Sequence, residues 1–111
     1  MTHARAMVPD LFAGMNKTEK ARAIELEAMK RTGQIVAWYY EKVTLKLADD
    51  TRYTPDFFVL APDGACHFEE IKGFWRDDAK VKLKVAVAHF PFRFVAFEGK
   101  PGNWTVTDYS A

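Results

Sequence analysis

The 111-residue sequence holds a single cysteine, Cys66, which excludes an internal disulfide and suits a reducing compartment. Cys66 and three histidines (His3, His67, His89), at scattered spacing, do not make a zinc-binding pattern. No apolar run approaches the ~20 residues of a membrane helix, so no membrane partner is expected. The opening residues MTHARAMVPD contain no apolar stretch, so no secretory signal and a cytoplasmic location are expected. There are no repeats and no low-complexity segments. Neither sign of charge dominates, with 16 Lys and Arg against 15 Asp and Glu. What is present is ordinary globular material, 49% hydrophobic and 28% charged. A chain of this length buries enough surface for one core, so one domain is expected.

The distribution of charge is less even than its sum. Residues 41–71 carry three basic and seven acidic groups, and residues 72–100 carry seven basic and three acidic groups. An acidic middle followed by a basic block suggests a carboxylate-lined site beside an anion-binding surface.

Residues 1–15 show no periodicity and contain Pro9 and Gly14, which reads as an N-terminal arm or tail before a single domain over 16–111. Asn16 with Glu19 three residues on resembles a capping box. The run Lys17 to Arg31 lacks Gly and Pro, and Gly33 follows it, so a helix is predicted. Glu19 shares a face of that helix with Ala23 and Leu26. Alternation from Ile35 to Ala48 predicts one long strand, with Glu41 interrupting its apolar row. Arg52 to Ala61 predicts a second strand, with Pro55 at an edge or bulge. Phe57 to Leu60 are apolar on both faces, as in a sheet covered on both sides. After the turn Pro62-Asp63-Gly64, a third strand is predicted over Ala65 to Lys72. A helix from Asp77 or Asp78 to His89, a strand over Phe92 to Phe97 and a short strand over Trp104 to Asp108 complete an α/β order.

The hairpin carries the chemistry. With Gly64 in the left-handed position of a three-residue loop, Ala61 faces Ala65 and Asp56 faces Glu70. Opposed residues point to one side of the sheet, and Lys72, two beyond Glu70, joins them. Two like charges opposed in a half-buried sheet are unfavourable unless a cation relieves them. Hard oxygen ligands select Mg²⁺ or Mn²⁺, and a lysine beside them suits phosphodiester hydrolysis. The same spacing also describes a lysine that salt-bridges one acid on a solvated face.

The order helix-Glu, Pro55-Asp56, Glu70-Ile71-Lys72, helix, strand resembles the PD-(D/E)xK nuclease superfamily over residues 16–97. The stretches Tyr53-Thr54-Pro55-Asp56-Phe57 and Glu70-Ile71-Lys72-Gly73-Phe74-Trp75-Arg76-Asp77 are similar to small phage-encoded members, related in pattern to phage-type Holliday junction-resolving endonucleases. The resemblance implies a restriction-endonuclease-like αβββαβ core with a mixed central sheet flanked by helices. It implies that Asp56, Glu70 and the backbone carbonyl of Ile71 hold metal, that Glu19 binds a second metal or its water, and that Lys72 is the catalytic lysine. The implied activity is Mg²⁺-dependent (or Mn²⁺-dependent) endonucleolytic hydrolysis of DNA in a phage-infected or bacterial cytosol, with RNA left open. With few residues available to read base edges, structure-selective cleavage of a junction, flap or replication intermediate is expected. Cutting two strands needs two sites, so a homodimer is expected. The alternative is a non-catalytic nucleic-acid or protein-binding module that retains the fold.

Arg76, Lys80 and Lys84 form an i, i+4, i+8 stripe suited to phosphates, or to a solvated face. Glu41 is a candidate acid behind the metal ligands. Glu69 points away from Glu70 and is excluded as a ligand. His67 reads as structural, and Cys66 as a small buried hydrophobe. Phe74 and Trp75 could stack on a base or pack under the helix. His3 and Arg5 could touch nucleic acid or a second subunit.

Overall fold

Asn16 starts the first helix. In the computed structural model, which describes residues 10–73 and 76–109, its side chain accepts the Glu19 N–H at 2.8 Å. Glu19 reciprocates by accepting the Asn16 N–H at 3.0 Å, so the predicted capping box is formed. Helix α1 runs Lys17–Arg31 and ends before Gly33, whose φ of +80° is readily adopted by glycine. Residues 10–15 turn back so that Phe12 and Met15 pack on the α1 side of the core, Phe12 stacked on Trp38. Phe74, Trp75, His3 and Arg5 lie outside the described residues.

The predicted strand Ile35–Ala48 is two strands, β1 (Ala37–Tyr40) and β2 (Leu45–Ala48). The break is at Glu41, which has a φ of +49° and no longer follows a strand path. The predicted strand Arg52–Ala61 also divides, into β3 (Thr51–Tyr53) and β4 (Phe57–Leu60), with Pro55 buried in the gap. Pro55 has no N–H to give to a ladder, so pairing stops there. Strands β2 and β3 form a separate antiparallel ribbon. The remaining elements are β5 (Cys66–Lys72), α2 (Asp77–His89), β6 (Phe94–Glu98) and β7 (Thr105–Asp108).

The main sheet has the order β1-β4-β5-β6-β7, antiparallel except for the parallel pair β5–β6, which α2 connects. Parallel neighbours require such a crossover. The core order α1-β1-β4-β5-α2-β6 is the expected αβββαβ arrangement, a mixed central sheet flanked by helices. Ala23, Leu26, Phe57, Val59 and Ile71 fill the α1 face. Leu45, Tyr53, Phe68, Leu83, Ala86 and Phe94 fill the other, where the ribbon and α2 lie together. Phe57 and Phe58 therefore serve opposite faces, which explains the unbroken apolar run of β4. Val81, by contrast, is exposed on α2, and Cys66 is exposed rather than buried, because it begins β5 beside the Gly64 turn. Among the described residues, no helix is long and apolar enough to cross a membrane.

Candidate active site

Gly64 has a φ of +89°, and the Ala61 N–H donates to the Ala65 carbonyl at 2.8 Å. The loop is therefore of the expected kind, and it sets the register: Leu60 opposite Cys66, Phe58 opposite Phe68, Phe57 opposite Glu69. One step further brings Asp56 to Glu70. Both side chains are buried, at 5% and 4% exposure, and the Glu70 charge acts on Asp56. Lys72 reaches the same face, its Nζ 3.6 Å from Glu70 Oε2. Asp56, Glu70 and Lys72 are thus brought together.

The backbone of β5 takes part as well. The Ile71 N–H donates to Asp56 Oδ2 at 2.8 Å. Glu41, whose carboxylate is exposed, meets the site through its backbone, donating its N–H to the Asp56 carbonyl at 2.9 Å. Its left-handed bend is what turns the chain out of β1 toward the ribbon.

Glu19 stands at the edge of this cluster. Its Oε1 accepts the Asn16 N–H and the Tyr40 hydroxyl, the latter at 2.8 Å. The first turn of α1 adjoins the end of β5, since a Cβ at Gly73 would lie 3.8 Å from Thr18 Oγ1. The Glu19 charge is felt at Asp56. Among the described residues, however, no three His, Cys, Asp or Glu side chains gather as a metal-binding group, so Glu19 is not joined to the Asp56–Glu70 pair.

Two tyrosines with no role predicted from the sequence hold these acids. Tyr40 of β1 serves Glu19, and Tyr53 of β3 donates to Glu70 Oε1 at 2.9 Å. Burial, and then the neighbouring carboxylates, push both phenols above their ordinary range, so both remain donors. The signal available was the place of Tyr53 at the head of the stretch Tyr53-Thr54-Pro55-Asp56-Phe57. Without the fold of the ribbon over β5, that position had no assigned partner.

Burial, then the Glu70 charge, pushes Asp56 well above the ordinary carboxylate range, against the Ile71 N–H. Burial also pushes Glu70 up, against Lys72, Asp56 and Tyr53. Both acids are thus pushed toward the neutral form, and the pair resists carrying two charges at once. Glu69 lies on the other face, buried, and takes two bonds from Arg22, Nε at 2.8 Å and Nη2 at 2.9 Å, and one contact from His67 Nε2 at 2.8 Å. His67 is thus structural, and Arg22 also lies over the Phe97 ring, 4.0 Å from its centroid.

Arg76 is the N-cap of α2, with extended backbone, so only Lys80 and Lys84 of the predicted stripe lie on the helix; Arg76 and Lys84 are exposed while Lys80 is half-buried and engaged.

No protein-family model matches the chain, and no curated protein matches it. A solved cryoEM structure of a DrdV–DNA complex is similar over 89% of this chain, at 17% identity and a TM-score of 0.45. This chain spans 11% of the length of that one.

Proposed function

We propose that the chain is a metal-dependent endonuclease that hydrolyses DNA phosphodiester bonds, with branched or flapped DNA as its substrate. One observation carries the reading: two buried carboxyl groups meet across the β4–β5 hairpin with a lysine on the same face. Proteins seldom bury opposed acids for stability alone, because desolvation and like charge both oppose it.

The donor set fits a hard divalent cation. Asp56 and Glu70 offer carboxylate oxygens, and the Ile71 carbonyl lies on the same strand edge as the N–H that reaches Asp56. A bound Mg²⁺ or Mn²⁺ supplies positive charge that polarises a phosphoryl oxygen and acidifies water. Lys72 keeps its ammonium beside Glu70, where it stabilises negative charge that grows on the phosphate. Glu19, whose Oε2 lies outside its two Oε1 bonds, orients water from the edge of the site in this reading. Arg76, Lys80 and Lys84 contact phosphates flanking the scissile one. Two copies of the chain cut the two strands of a junction.

The test is a panel of junction, flap, linear duplex and single-stranded DNA incubated with Mg²⁺ and with EDTA. Cleavage of branched substrates that EDTA abolishes is expected. Tight binding without cleavage of any substrate in Mg²⁺ or Mn²⁺ would favour the non-catalytic module instead. Sedimentation velocity on a junction complex, expected to show two copies, tests the dimer.

A further inference from the structure

The geometry points to Tyr53 as a positioning residue that fixes Glu70 for cation binding, an inference that rests on the nuclease reading. Tyr53 belongs to the β2–β3 ribbon, not to the sheet that carries the acids. It is buried at 7% exposure, and its ring packs near Phe94 in the cluster containing Leu45, Phe68 and Leu83. A phenylalanine would satisfy that packing. A buried hydroxyl is costly unless bonded, and Glu70 Oε1, at 2.9 Å, takes its bond. With Oε1 held there, Oε2 is turned toward Lys72. The carboxylate is thus confined to one orientation before any cation arrives. Partners that orient a metal-binding carboxylate in this way typically change metal affinity 10- to 100-fold when removed. The ribbon then does more than cover the core: it supplies the group that aims one acid of the site.

A purely structural tyrosine would only fasten the ribbon to the sheet, and Leu45 in the same ribbon does that through packing alone. The experiment measures Mn²⁺ dissociation constants by titration calorimetry, alongside thermal unfolding in EDTA, for the wild type, Tyr53→Phe, Leu45→Ala, and a protein with 3-fluorotyrosine at position 53. The expected result is a 10- to 100-fold weaker Mn²⁺ affinity for Tyr53→Phe, with wild-type affinity for the fluorotyrosine protein, which keeps its hydroxyl donor. Leu45→Ala should lower the melting temperature and leave Mn²⁺ affinity unchanged. Equal affinity for Tyr53→Phe and wild type overturns the positioning role and leaves the metal site standing. Equal weakening by Leu45→Ala and Tyr53→Phe also overturns it, because anchoring of the ribbon would then explain the effect. A wild type that takes up no Mn²⁺ overturns this inference together with the nuclease reading beneath it.

Discussion

Glu69 and Glu70 are neighbours on β5 whose side chains leave the sheet on opposite faces into opposite electrostatic surroundings. Glu69 is matched by the fork of Arg22 and by His67, while Glu70 meets a second acid, Asp56, with Lys72 at its side. Burial acts to raise Glu69, but the bonds from Arg22 and His67 outweigh it and hold the carboxyl below its ordinary range. One face of the strand is resolved as structure, and the other is left with an excess of carboxylate.

The Arg22–Glu69 pair should be costly to halve. Arg22→Met leaves a buried carboxylate without its main partner, so denaturant unfolding should show a loss of about 3–5 kcal/mol. Because the folded pKa of Glu69 is depressed, its contribution is full above the ordinary glutamate range and disappears as pH falls through the folded value. The difference between Arg22→Met and wild type should therefore shrink in acid. A difference that is constant with pH would contradict this assignment.

Asp56 should behave in the opposite sense. Its folded pKa is raised, so metal-free protein is penalised as pH climbs above the ordinary aspartate range. Asn at this position imitates the protonated acid, donating to Glu70 and accepting from the Ile71 N–H. In EDTA at pH 8, Asp56→Asn should raise the melting temperature by roughly 4 °C or more, about 1 kcal/mol. Below the ordinary aspartate range the gain should vanish. A destabilised variant at pH 8 would show that the two acids are not in conflict.

Much of this site was legible in the sequence because local signals fixed it. Pro62-Asp63-Gly64 determined the loop, the loop determined the register, and the register put Asp56 beside Glu70. Asn16 and Glu19 announced the start of α1 in the same direct way. Glu41 and Pro55 stood out as irregularities, but alternation resumes beyond both and says nothing about which sheet a strand joins, so the division into four strands was not visible. Arg22–Glu69, Tyr40–Glu19 and Tyr53–Glu70 join residues distant in the chain, and no local pattern names such partners.

Glu41 sits in a left-handed conformation that costs a residue with a side chain roughly 1–2 kcal/mol. Glu41→Gly relieves that strain but gains unfolded-state entropy, so chemical denaturation should show a net stabilisation of up to about 1 kcal/mol. A loss of stability would mean that the Glu41 side chain holds the bend.

The basic helix should act on grip and not on chemistry. Lys84→Ala should weaken DNA binding similarly across sequences and reduce the log–log salt slope by about one. Cleavage at saturating DNA should be nearly unchanged, because such a contact is equal in ground and transition states. An unaltered salt slope would remove Lys84 from the DNA surface.

The most direct test is single-turnover cleavage of a branched DNA by wild type and Lys72→Ala in Mg²⁺, with binding measured separately in Ca²⁺. Lys72 shares the face of Glu70 and Asp56, so its charge is aimed where the reacting phosphate would sit. Binding in Ca²⁺ should be largely preserved, while the cleavage rate falls at least ~100-fold, the scale of one lost transition-state stabiliser. Cleavage at the wild-type rate by Lys72→Ala would contradict the account and move the catalytic charge away from the hairpin.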